Sequence, residues 1–431
     1  MTTPLTSLVP AHDAKLATTV RDFCRKQFKP QKRSFASNPL WAAVRKTGTE
    51  LWLDTGDIDE ASKLWCREFT ALTTNNTLLN KEIQKGIYDA AIPQIADLLR
   101  KEDPRLDERL LVLEIAFALN ALHGLKLVET FDAYVSVELH TATAHDVQSA
   151  VNYGKRFWAL CPERFIVKVP LSPAGLLAAR QLSDAGVTLN FTLGFSARQN
   201  YVIALTSKPA FVNVFMGRLN AFAADHKLND GSMVGEKATQ ASQAGITALR
   251  QGKEQLKTRQ IGASMRSGGQ VADLVGLDVF TIPTKAAKEF LDGKPDPATI
   301  KSRIDQGRTV TWNPGVDAKA DKLDVFWERS ETLGQALCKL YAEDLKKMSA
   351  GDLAAFFRQN GVGDLFPAWT DAERARINKE GKIPAFASWQ QEVRKGRMAW
   401  DALFTEAGLL SFTQDQDALD DRIRKVLAGR K

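Results

Sequence analysis

The run Phe165-Ile166-Val167-Lys168-Val169-Pro170 holds one lysine in an otherwise apolar stretch. A strand of that composition is normally buried on both faces, where an unpaired ammonium loses its hydration unless it deprotonates. The free amine of a desolvated lysine attacks a ketone or aldehyde to form a Schiff base, and the resulting iminium accepts electrons when an adjacent carbon–carbon bond breaks. Such chemistry also requires a group to move protons on hydroxyls and on the carbinolamine. Asp54 and Glu138, each near the end of an apolar run, are the carboxylates available. Arg218 and Arg266 add fork-shaped donors that suit a phosphate. The plainer alternative for Lys168 is a structural ion pair with Glu138.

For these side chains to meet, distant segments must converge. From residue 51 short apolar runs alternate with helical patterns: 51–54, 69–75, 133–139, 165–170, 187–193, 211–217, 259–264 and 278–283. Between them lie helical spacings such as Leu111, Ile115, Ala118 and Leu122, or Leu176, Ala179 and Leu182 after Pro173. Strand then helix, eight times over, predicts an α/β fold, a (β/α)8 TIM barrel with an active site at the carboxyl ends of its strands. Asp54 closes the first run, the second leads into Thr73, Thr74 and Asn75, the third ends near Glu138 and the fourth holds Lys168. The fifth carries Asn190 and Thr192, Arg218 follows the sixth, and Ser264 and Arg266 follow the seventh. Each has an ordinary explanation taken singly, as a helix cap or a strand threonine. Together they converge on one mouth.

Residues 1–50 read as a helical preface, 51–320 as the barrel and 321–431 as a helical extension whose last helix packs on the barrel. Within the extension, 323–347 reads as one amphipathic helix, followed by helices broken at "NGVGD" and "KEGKIP". Thr370 reads as a helix cap, and Trp369, Trp389 and Trp400 as core of the extension. With 44% hydrophobic and 25% charged residues in 431, neither disorder nor a fibrous fold is expected. A net charge of +7 suits an anionic ligand. The basic stretch "RKQFKPQKR" is interrupted by Phe28 and Pro30 and reads as a solvated face, not a nucleic-acid patch. Four scattered cysteines without a CxxC, an N-terminus "MTTPLTSLVPAHDAK" without a targeting pattern and the lack of an uninterrupted apolar span predict a cytoplasmic protein.

The motifs "LDTGDIDE", "TTNNTLL", "VSVEL", "IVKVP", "GVTLNFTLGFSARQ", "FMGR" and "GASMRS" resemble, in order, those of the transaldolase family, and "LFTEAGLLSFTQDQDALDDRIRKVL" is similar to its C-terminal helix. The resemblance implies transfer of a dihydroxyacetone unit from a ketose phosphate, sedoheptulose 7-phosphate or fructose 6-phosphate, to an aldose phosphate in the pentose phosphate pathway. It implies Lys168 as Schiff-base nucleophile, Asp54 as acid/base, and Glu138 acting with Thr192 through a held water. Asn75, Asn190, Asn213 and Ser264 would bind substrate, and Arg218 and Arg266 its phosphate. No metal or organic cofactor is implied, in keeping with five dispersed histidines and no HExxH, Walker or GxGxxG signature. The expected partners are sugar phosphates, not nucleic acid or membrane, and the expected state is monomer or homodimer.

Two positions depart from the family pattern. Asn76 stands where the family usually has proline, which removes a rigid φ. Asn213 replaces a serine and adds bulk near the substrate. Phe215 is kept where the related fructose 6-phosphate aldolases resemble a tyrosine version, which leans toward transfer over release. A lyase of that aldolase kind and transfer to a non-standard acceptor are the alternatives. A retired barrel serving as a binding module is the third, and retention of both Lys168 and Asp54 speaks against it.

Overall fold

Eight parallel strands close on themselves in sequence order, β1 pairing with β2 and so on until β8 returns to β1. They are β1 (Glu50–Asp54), β2 (Phe69–Thr73), β3 (Tyr134–Glu138), β4 (Phe165–Pro170), β5 (Leu189–Thr192), β6 (Phe211–Phe215), β7 (Arg259–Ala263) and β8 (Val279–Pro283). The computed structural model describes residues 14–252 and 255–429, so nearly all of the N-terminal stretch read above for targeting signals lies outside the described residues. Each apolar run expected from the sequence contains one strand, its ends within two residues of those anticipated. The runs overshoot where a strand residue gives way to a cap or a new helix: Asn75 caps the helix Asn76–Gln84, and Met216 already begins the helix Met216–Asp225.

Side-chain alternation along the strands divides the core in two. Leu51, Leu53, Val135, Val137, Phe165, Val167, Val169, Leu189 and Phe191 pack into one large cluster with the surrounding helices. Residues of the other parity, Trp52, Ala71, Ile166, Ile261 and Val279, form a separate cluster. Trp52 meets the ring of Phe211 at 4.7 Å. Two residues further along the same strands stand Asp54, Thr73, Lys168 and Thr281. The parity that makes the barrel interior apolar at one level therefore makes it polar at the next, and Lys168 is no intruder in its strand. It shares the face of Ile166, while Val167 and Val169 turn outward to the helices.

The N-terminal preface consists of helices Ala14–Gln27 and Pro39–Lys46 joined by an extended stretch. Helix Glu108–Phe131 is apolar and long enough by composition to cross a membrane, but it is buried inside the molecule against neighbouring helices. Beyond the last barrel helix, Thr284–Asp292, the extension departs from the expected single helix over 323–347. A short 3-10 turn, Leu323–Phe326, precedes a helix restricted to Glu331–Leu340. Ser330 causes the restart, because its hydroxyl accepts from Leu333 N and so begins a new helix in place of continuing an old one.

Helices Ala350–Gln359, Asp371–Glu380, Phe386–Arg394 and Trp400–Ala428 follow, with breaks at the two anticipated places. Thr370 caps the second, and Glu373 reaches back to complete a capping box. Trp389 and Trp400 are buried in the cluster that also holds Trp52, whereas Trp369 packs at its margin. The C-terminal helix Trp400–Ala428 lies chiefly against Asn76–Gln84, the helix that follows β2.

Candidate active site

Strand register sets Lys168 directly between Glu138 on β3 and Asn190 on β5. The lysine is 2% exposed. Its Nζ lies 3.2 Å from Glu138 Oε2 and donates to the Thr74 carbonyl at 3.1 Å. The ion pair that a structural role would require is thus present. Burial pushes the Glu138 carboxyl above its usual range, and Lys168 and Arg218 pull it the other way. Asn120 fixes the end of β3 by donating to the Glu138 carbonyl at 2.9 Å.

Asp54 ends β1. Burial pushes its carboxyl up to about 6, against the opposing pull of Lys168 and Arg266. The backbone just beyond it is held by a histidine from the long apolar helix: His123 Nε2 sits 2.8 Å from the Gly56 carbonyl, and Nδ1 3.0 Å from the Tyr88 hydroxyl. Burial lowers the imidazole to about 4, so it is neutral at physiological pH and adds no charge beside Asp54.

Around this centre stand short polar side chains. Thr192 is fully buried with its hydroxyl unpartnered, which leaves it free for a small molecule. Asn190 donates to Ser136 Oγ at 3.1 Å and accepts from Asn213 Nδ2 at 3.4 Å, which orients its amide and leaves one N–H and one lone pair for a ligand. Asn213 also donates to the Phe191 carbonyl, while its Oδ1 is buried and unpartnered. Asn75 commits its oxygen to capping, accepting from Leu78 N at 2.8 Å. Ser264 leaves β7 with φ 61, a left-handed conformation that a non-glycine residue adopts at some cost.

Two arginines complete the arrangement. Arg218 is buried in the first turn of Met216–Asp225, with its guanidinium carbon 5.2 Å from the Phe215 ring centre and 5.6 Å from that of Phe412. Burial and the neighbouring Arg266 lower it to about 10, and its Nη1 is buried without a hydrogen-bond partner. Glu138 and Asp415 oppose that shift, and a guanidinium donor held in this way suits an anionic ligand. Gly217 permits the approach of Arg266: a Cβ there would lie 2.0 Å from the Ser264 carbonyl and 2.8 Å from Arg266 Cγ.

The structure also recruits groups to which the sequence assigned no role. Ser136 and the Thr74 carbonyl hold Asn190 and Lys168, His123 holds the loop after Asp54, and Phe412 covers Arg218. Ser136 had a signal, since it lies two residues before Glu138 and shares its face. Asn76 is the first residue of its helix, a position that would also suit proline. Its side chain donates to Gln416 at 2.8 Å and so ties the C-terminal helix to the loop after β2. Among the described residues no group of three or more His, Cys, Asp or Glu is placed to hold a metal.

Residues 51–347 match the family model described as transaldolase/fructose-6-phosphate aldolase. Among curated proteins, the chain is 30% identical over 247 residues to a transaldolase of Xanthomonas euvesicatoria, covering 53% of this chain and 71% of that protein. It is 26% identical over 314 residues to a transaldolase of Stutzerimonas stutzeri, covering 71% of this chain and 96% of that one. Against a transaldolase of Schizosaccharomyces pombe the identity is 26% over 277 residues, covering 63% and 82%.

Proposed function

Since the chain belongs to the transaldolase/fructose-6-phosphate aldolase family, we propose that it transfers a dihydroxyacetone unit from a ketose phosphate, such as fructose 6-phosphate or sedoheptulose 7-phosphate, to an aldose phosphate. The observation that carries this reading is a buried lysine in the barrel lumen, flanked in register by a carboxylate and an amide, with a second carboxylate that feels its charge and an arginine just beyond strand β6 whose Nη1 is buried without a hydrogen-bond partner. The pentose phosphate pathway in the cytoplasm is the setting that fits this chemistry.

Lys168 passes a proton to Glu138, 3.2 Å away, and its free Nζ attacks C2 of the ketose. Glu138, through a water held with Thr192, delivers the proton with which the carbinolamine hydroxyl leaves as water, and the iminium forms. The Asp54 carboxylate then takes the proton of the C4 hydroxyl. The C3–C4 bond breaks, its electrons pass into the iminium, and an aldose phosphate departs from an enamine still bonded to Lys168. A second aldose phosphate accepts the enamine carbon, Asp54 returns its proton to the new hydroxyl, and water releases the product ketose. A carboxyl near 6 suits this double duty, because it is ionised at neutral pH yet still basic enough to hold a proton in passing. Asn75, Asn190, Asn213 and Ser264 bind the sugar hydroxyls, and Arg218 and Arg266 hold the phosphate.

By the family resemblance, a phenylalanine at position 215, where the related aldolases have tyrosine, favours transfer over simple release. Assay of fructose 6-phosphate with and without an aldose phosphate separates the two. Transfer predicts turnover that depends on the acceptor. Steady release of dihydroxyacetone from the donor alone, unchanged by acceptor, would assign the chain to the lyase alternative.

A further inference from the structure

We infer that Lys382, supplied by the C-terminal extension, is a specificity-determining contact of this same site and binds the sugar phosphate together with Arg218 and Arg266. The inference rests on the function proposed above and adds a residue from outside the family-matched segment 51–347. Lys382 lies in the turn between helices Asp371–Glu380 and Phe386–Arg394. That turn is fixed on both sides of it. Gly381 adopts φ 84, ψ −155, a conformation open essentially only to glycine. Ala385 N and Trp389 Nε1 both donate to Glu380 Oε2, at 2.9 and 2.7 Å. Ile383 packs against the cluster containing Phe215 and Phe222, and the His226 imidazole lies 3.0 Å from the Pro384 carbonyl. His226 follows the far end of the helix that carries Arg218 in its first turn, and four residues before Lys382 the Asn378 side chain accepts from Gln414 Nε2 at 2.8 Å, two residues from the Phe412 that lies against Arg218.

The electrostatics agree with that placement. Burial, then Arg218 and Arg266, hold the Lys382 ammonium below the usual lysine range; Lys81 acts in the same sense and Asp415 opposes them. Asp415 is itself engaged by the Thr77 hydroxyl. Lys382, Arg218, Arg266 and Lys81 thus act on one another, with Asp415 the carboxylate that faces Lys382 and Glu138 and Asp54 those that face the two arginines, while Arg218 Nη1 is buried without a hydrogen-bond partner. Like charges repel unless an anion completes the group, and a phosphate monoester has the charge and the acceptors to do so.

The test compares Lys382→Ala and Lys382→Arg with the full chain, using fructose 6-phosphate, unphosphorylated fructose, and inorganic phosphate as a competitive inhibitor. For an exposed charge–phosphate contact, Lys382→Ala is expected to raise both KM for fructose 6-phosphate and the inhibition constant of phosphate by about three- to fivefold, with kcat within about twofold. Turnover of fructose is unaffected, and Lys382→Arg recovers the phosphate dependence. An unchanged inhibition constant, or an equal loss with fructose, would overturn the assignment. If the wild-type chain shows no transfer at all, the functional reading fails by itself. Calorimetric titration with inorganic phosphate then still decides the role of Lys382 by the same ratio between wild type and variant.

Discussion

Asp54 carries two opposed demands. Its carboxyl, raised to about 6 by burial, is the proton carrier of the proposed reaction, and ionising it inside the barrel costs stability. The unfolded carboxyl titrates near ~3.9, so the native state binds the extra proton between the two values. Stability contributed by that proton is present below about pH 4 and lost as pH rises to about 6. Asp54→Asn is therefore expected to slow transfer by about 10²-fold or more and to abolish the acid limb of kcat/KM near pH 6. The same variant is expected to resist urea better by roughly 1–3 kcal/mol at pH 8, with no gain at pH 4. Equal turnover in wild type and variant would remove Asp54 from catalysis. At this scale the sequence was informative wherever a charged residue interrupts an apolar run, as at Lys168 and Asp54. It was silent on the Thr74 carbonyl and on His123, whose roles depend on backbone positions that side-chain identity does not encode.

Among the elements, the C-terminal helix closes the polar end of the barrel. Asn76 binds Gln416, Thr77 binds Asp415, and Phe412 lies against Arg218. Gly408 allows the helix to come this near: a Cβ there would lie 2.7 Å from Leu193 Cδ2 and 3.0 Å from Arg218 Nη1. Gly408→Val should displace the guanidinium and raise KM for a sugar phosphate by about tenfold, with little change for an unphosphorylated donor. An unaltered KM would show that Arg218 does not hold the phosphate. The strands were legible because β-alternation and apolar runs are local. The 323–347 segment was misjudged because its apolar periodicity persists across Ser330, whose capping hydrogen bond divides it.

Over the whole molecule, the extension and the barrel share one interior. Phe404 packs on Phe195 and Phe222, and Trp400 on Phe222, within the cluster that includes Trp52. The joint is sealed by Asp401, fully buried, which accepts from Arg198 Nε at 2.7 Å, Arg198 Nη2 at 2.8 Å and Ser196 Oγ at 2.7 Å. Removing Asp401 leaves the buried Arg198 only Asp364, which accepts from Nη1 at 2.9 Å, so Asp401→Ala should cost about 3 kcal/mol. Activity and near-ultraviolet dichroism are expected to disappear in a single transition. A first transition that spares activity would mean that the extension folds apart from the barrel. The sequence announced the extension's helices through the Thr370 cap and the two breaks but not their docking, because no local pattern pairs Asp401 with an arginine some two hundred residues earlier.

The central claim, that Lys168 forms the Schiff base, is tested most directly by borohydride reduction in the presence of fructose 6-phosphate, followed by peptide mass spectrometry. The account predicts a single three-carbon adduct on Lys168, absent from Lys168→Met. An adduct on a different lysine, or full transfer activity with no reducible adduct, would contradict it.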